Sequence, residues 1–184
     1  AGAGTTTVTV GGTPATGVSV TSDTTIAATV PAKPAGTYTV IVANALGSAT
    51  LTNAFTYGTP PTLASLTPTA TGAGLPATVT LTGANFTEPA AGTTTVTVGA
   101  TAATGVTVVN ATTLTATFPA LAAGTYNVTV TNSLGSATLA NAITYSPLPT
   151  LASLTPNAAA AGTTPSVTLT GTNFTAAGAG TTTV

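Results

Sequence analysis

Asp23, Lys33 and Glu88 are the side chains of this sequence that carry a full charge. General acid–base chemistry needs a positioned titratable group, and an attacking hydroxyl or thiol needs a neighbouring base. The chain has no His and no Cys to fill those roles. Its two acids are 65 positions apart (88 − 23), so they form no run of oxygen ligands of the kind calcium requires. One lysine cannot supply the phosphate contacts that carry nucleic-acid affinity. The expectation is a chain that is not an enzyme, holds no cofactor or metal and binds no nucleic acid.

Two other residue types could carry function. Asn110-Ala111-Thr112 and Asn127-Val128-Thr129 match the N-x-S/T acceptor pattern, as do Asn85-Phe86-Thr87 and Asn173-Phe174-Thr175. In a Thr-rich chain such tripeptides arise readily by chance. Asn110 and Asn127 stand as the candidate glycan acceptors. Tyr38 and Tyr126 each follow Gly-Thr, and either ring could stack on a sugar or anchor a core; the anchoring role is the simpler reading.

The elements that must position these residues repeat. Gly124 to Thr138 alternates apolar and polar residues, turns at Asn-Ser-Leu-Gly and starts a second run, the pattern of a β-hairpin. The same stretch occurs at Gly36 to Thr50, a period of 88 residues (124 − 36). Residues 1–58 align with 89–146 without a gap, and roughly two-thirds of the positions are identical. Residues 59–96 align equally well with 147–184. The Pro-rich joints Gly58-Thr59-Pro60-Pro61 and Ser146-Pro147-Leu148-Pro149 read as short, stiff linkers. Residues 59–146 are then one complete domain, 1–58 the later part of another, and 147–184 the beginning of a third. The octapeptide Ala1–Val8 returns as Ala177–Val184, which leads to the expectation of a window on a longer periodic chain.

Each period reads as about seven short strands with turn residues between them, an all-β sandwich. In the complete domain the extended segments, with the hairpin taken as one unit, centre on Leu63–Leu66, Thr78–Thr82, Thr94–Val98, Gly105–Val108, Leu114–Phe118, the hairpin of Tyr126–Val130 with Ala137–Leu139, and Ile143–Tyr145. Alternation assigns Val79, Leu81, Phe86, Val96, Val98, Val106, Val108, Leu114, Phe118, Tyr126, Val128, Val130, Leu139 and Ile143 to the core, with the intervening threonines facing solvent. Even the longest apolar runs, such as Ala158–Ala161, fall far short of the roughly 20 residues a membrane helix needs.

The ordered set L-x-S-L-x-P at Leu63–Pro68, V-T-L-T-G-x-N-F at Val79–Phe86 and A-G-T-Y…N-x-L-G-S-A-T with a closing Tyr, over Gly124–Tyr145, resembles the IPT/TIG domains. That resemblance implies tandem immunoglobulin-like β-sandwiches. Asn85 and Asn173 fall in its G-x-N-F turn, where an Asn side chain bonding its local backbone is the simple account. Tyr38 and Tyr126 would act as a tyrosine-corner residue does in related sandwiches.

Near-zero net charge favours association. With Thr hydroxyls or glycans hydrating the surface, the expected setting is extracellular, at a cell surface. The expected role is a structural segment of a tandem-repeat fibre, stalk or adhesin, in which open partial units contact adjacent repeats or other copies head to tail. The alternative is a carbohydrate-binding or spacer module of a secreted polysaccharide enzyme, with surface glycans as partners.

Overall fold

A computed structural model of the chain describes residues 4–176 and 178. Residues 1–3 of the first copy of the repeated octapeptide, and all but Gly178 of the second, lie outside the described residues. The chain divides into two compact units, residues 1–59 with the Glu88–Gly92 loop, and residues 60–87 with 93–184.

In the first unit, β1 (Thr7–Val10), β2 (Thr13–Pro14), β5 (Gly36–Asn44) and β6 (Gly47–Tyr57) form an antiparallel sheet in the order β2-β1-β5-β6. A separate hairpin joins β3 (Thr16–Ser22) to β4 (Thr25–Thr29). Val8 and Val10 are buried beneath the sheet.

The second unit holds a full two-layer sandwich. One layer is β7 (Thr62–Thr67), β9 (Ala77–Ala84), β12 (Thr104–Asn110) and β13 (Thr113–Phe118), ordered β12-β13-β9-β7. The other is β8 (Ala70–Gly72), β10 (Thr95–Val98), β11 (Thr101–Ala102), β14 (Gly124–Asn132) and β15 (Gly135–Ser146), ordered β11-β10-β14-β15-β8. Strict alternation places Val79 and Leu81 on β9 against Val96, Val98, Val128 and Val130 from the facing sheet, and all six are fully enclosed. Leu114, Phe118 and Ile143 complete the centre of the core. Beyond the sandwich, β16 (Thr150–Thr155) pairs with β17 (Thr168–Thr172), Leu154 opposite Leu169, as Leu66 lies opposite Leu81 in the pairing of β7 with β9.

The alternation misplaced several residues, for identifiable reasons. Val106 and Val108 are only half-buried, because β12 is an edge strand. Leu139 is half-buried because β8 covers only Thr144–Ser146 of β15 and leaves the start of that strand an edge. Tyr126 is half-buried at the sandwich end. Leu66, Ala116 and Tyr145 are buried although alternation did not select them, and Thr94 is buried rather than outward. The two segments read as ending the domain are one continuous strand, β15, carrying a bulge: Tyr126 pairs with Ile143, but Val128 pairs with Leu139. The three-residue strand β8, parallel to β15, has no counterpart in the sequence reading. After β7 the chain crosses from one sheet to the other through this short segment.

Candidate functional site

The three charges lie in separate loops. Lys33 is committed to structure. Its ammonium donates to the Gly11 carbonyl at 3.2 Å and to the Thr13 hydroxyl at 2.8 Å, and it sits 5.2 Å from the centroid of the Tyr38 ring. The Glu88 carboxylate accepts the Thr59 N–H at 3.4 Å. Asp23 stands exposed in the β3–β4 turn. Among the described residues no group of three His, Cys, Asp or Glu could hold a metal ion.

The tyrosines are anchored as pairs. Tyr126 donates its hydroxyl to the Ala122 carbonyl at 3.1 Å, four residues back, and Tyr38 does the same to Pro34 at 3.1 Å. Tyr126 meets Tyr145 edge-on, centroids 5.5 Å apart at 88°. Tyr145 in turn donates to the Pro119 carbonyl at 2.8 Å, and Tyr57 to that of Pro31. Burial raises the Tyr145 phenol above its ordinary pKa, and charge on Tyr126 would raise it further. Gly99, with φ +57°, leaves room for the Tyr126 ring, since a Cβ there would lie 3.1 Å from its Cδ1.

The four asparagines divide by position. Asn110 is exposed at the β12–β13 turn, where its Oδ1 accepts from the N–H of Thr112 at 2.9 Å and from the Thr112 hydroxyl at 3.0 Å. Asn127 is exposed opposite the β15 bulge, and its Oδ1 accepts the N–H of Asn141, a left-handed residue (φ 50°), at 2.8 Å. Asn85 and Asn173 do not serve their local backbone as expected. Each adopts a left-handed φ, 64° and 60°, and reaches 25 residues back: Asn85 Nδ2 donates to Pro60 O, and Asn173 Nδ2 to Leu148 O, both at 2.9 Å. These side chains tie the Pro-rich linkers to the turns that leave β9 and β17, a distant contact that the tripeptide gave no means of seeing.

The most distinctive surfaces are two open half-cores. In the first unit Ile26 and Phe55 are each 37% exposed, whereas their counterparts 88 residues on, Leu114 and Ile143, are wholly buried. At the other end Leu154 is 39% and Val167 38% exposed, against 3% for Leu66 and zero for Val79. A groove of about 600 Å³ opens in the first unit, walled by Val20, Ile26 and Val42 with Asp23 and Thr24 at its rim. β16 repeats the T-L-A-S-L-T of β7, and residues 167–171 repeat the V-T-L-T-G of β9.

Two sheets, antiparallel except for the short β8, closed over one core define an immunoglobulin-like β-sandwich. The chain belongs to the IPT/TIG domain family, whose profile matches residues 2–57 and 61–146. No curated protein matches the chain. Similar solved structures include SGBP-B from a complex xyloglucan utilization locus of Bacteroides uniformis, at 20% identity and TM-score 0.41, covering 82% of this chain and 49% of that one. The surface glycan-binding protein PbSGBP-B of Prevotella bryantii aligns at 19% identity and TM-score 0.40, over 72% of this chain and 32% of its own. Domains 1–6 of the surface layer protein SbsC align at 17% identity and TM-score 0.33, over 81% and 21%. The chain therefore spans half or less of the length of each.

Proposed function

We propose that the chain is a non-catalytic, structural segment of an extracellular tandem-repeat fibre, stalk or adhesin, in which open partial units are completed head to tail by adjoining repeats. The observation that carries this reading is the complementarity of the two exposed half-cores. Positions buried in the complete repeat are open in the first partial unit, and the strands needed to bury them stand open at the other end. Exposed apolar strand faces of this kind drive association. A contact between two different surfaces of the same chain is heterologous, and repetition of it gives an open filament rather than a closed ring. Surface charge supports the same picture, since a formal net charge of −1 offers little repulsion between copies.

The glycan-binding alternative calls for exposed aromatic platforms. The tyrosine rings here are engaged edge-on or by hydroxyl bonds to backbone, Phe86 and Phe118 lie in the core, and Phe55, though 37% exposed, packs against the Tyr57 ring at 4.9 Å. Electron microscopy of the purified chain at high concentration tests the fibre reading. Linear assemblies one sandwich wide are expected, and a field of single particles at every concentration contradicts it. Affinity electrophoresis through gels containing xyloglucan or mixed-linkage glucan tests the alternative, which retarded migration would favour.

A further inference from the structure

The complete repeat shows how an open first unit is closed. There Gly83 donates its N–H to the Thr112 carbonyl at 2.9 Å, and Phe86 donates its own to Ala111 at 3.1 Å. The Phe86 ring belongs to the same core as Val108, Leu114 and Val130. Subtracting the period of 88 turns those three apolar residues into Val20, Ile26 and Val42, which wall the open groove, and turns the two acceptors into Thr24 and Asp23 at its rim. Adding the period turns the donors into Gly171 and Phe174.

The donor side already has its shape. β16 and β17 pair in the register of β7 and β9, including the irregularity between Leu151 and Ser153 that matches the one between Leu63 and Ser65. A Cβ on Gly171 would strike the Phe174 ring at 2.4 Å, as one on Gly83 would strike Phe86 at 2.7 Å, so each Phe is held over its glycine. Both sides of the contact are therefore built before they meet, which limits the ordering cost of binding.

Resting on the head-to-tail reading, we infer that this groove is a docking site for the Thr150–Ala176 segment of a second copy of the chain. β17 adds to the free edge of β4 in antiparallel register, and Phe174 enters the groove between Val20, Ile26 and Val42. The register follows from the observed pairs Thr113 with Thr82, Leu114 with Leu81, and Ala116 with Val79. It places Thr25 opposite Thr170, Ile26 opposite Leu169, and Ala28 opposite Val167. Main-chain bonding along the new edge supplies affinity, and the alternate side chains entering the core fix the register.

The chain has no cysteine, so the register can be read by cross-linking. Ala27→Cys with Thr168→Cys in one chain places the pair on the outer face, at the counterparts of Thr115 and Thr80, which lie opposite each other in the complete repeat. Ala27→Cys with Thr172→Cys is the off-register control. Mild oxidation of the full chain should give a non-reducing ladder in multiples of 17.2 kDa, at least severalfold stronger for the first pair than for the control. Phe174→Ala added to the first pair should deplete the ladder. Multimers by light scattering with equal cross-linking in both variants would overturn the docking register while leaving head-to-tail assembly standing. A cross-linked single chain would overturn the second copy as occupant. A lone uncross-linked species of 17.2 kDa would overturn both docking and assembly.

Discussion

Tyr145→Phe isolates the bond that closes the complete repeat. The ring of Tyr145 is 1% exposed, and replacing it by Phe keeps its volume and its edge-on contact with Tyr126. What disappears is the 2.8 Å hydrogen bond to the Pro119 carbonyl. A neutral hydrogen bond contributes a net 0.5–1.5 kcal/mol or so, and a stranded buried acceptor adds to the cost. Pro119 is half-buried, so water reaches part of its carbonyl. A loss of about 1–2 kcal/mol at neutral pH follows. Tyr145→Ala would instead open a ring-sized cavity and cost roughly 3–5 kcal/mol.

The same residue makes a pH signature. Its folded-state pKa is raised, first by burial, so the unfolded chain gives up this proton more readily than the folded one. The associated stability is fully present below the unfolded tyrosine pKa of about 10 and is lost as pH rises from there through the folded value. Urea titrations followed by tyrosine fluorescence at pH 7 and at steps above pH 9 should show the parent and Tyr145→Phe separated at neutral pH, converging in the alkaline range. A gap that stays constant to the alkaline limit, or a Phe variant as stable as the parent at pH 7, would refute the reasoning.

Phe118→Ala, at a fully buried site, should lower stability by roughly 3–5 kcal/mol, while Thr115→Ser on the opposite face of β13 should shift the urea midpoint little. Gly83→Ala should prevent normal pairing of β7 with β9, because its Cβ would sit 2.0 Å from the Thr62 carbonyl oxygen, and slowed exchange of the amides that join β7 to β9 should vanish. Asn85→Ala should cost about 1–2 kcal/mol by removing the bond to Pro60 and placing Ala at φ +64°, with Asn85→Gly costing less. Glycans on Asn110 or Asn127 would raise the intact mass of native material above that of the bare polypeptide; an equal mass removes them.

The sandwich was legible because period-2 alternation is strong where a strand is buried on one face. β9, with Val79 and Leu81 inward and Thr78, Thr80 and Thr82 outward, is the clearest case. Edges blur that signal: Val106 and Val108 alternate like core residues yet sit on an edge strand. β8 is three residues long, too short for any periodicity, and its parallel partner lies more than seventy residues away (144 − 70 = 74). Tyr145 closes the core through a bond to Pro119, 26 residues back, which no local pattern announces. The exposure of Ile26 and Phe55 was legible through the repeat itself, since residues 1–58 align with 89–146 and hold no counterpart of β7 and β9 to pack on them. The tether from Asn85 to Pro60 was not, because a G-x-N-F turn looks the same whether its amide bonds locally or to a distant linker.

Sedimentation equilibrium of the purified chain over a wide concentration range tests the central claim, that its two open half-cores complete one another between copies. The weight-average mass should climb from 17.2 kDa through successive multiples without a plateau, as an open head-to-tail series requires, and Ile26→Asp should hold it at the single-chain value. A parent chain that stays at 17.2 kDa throughout, or that stops at a closed dimer, would contradict it.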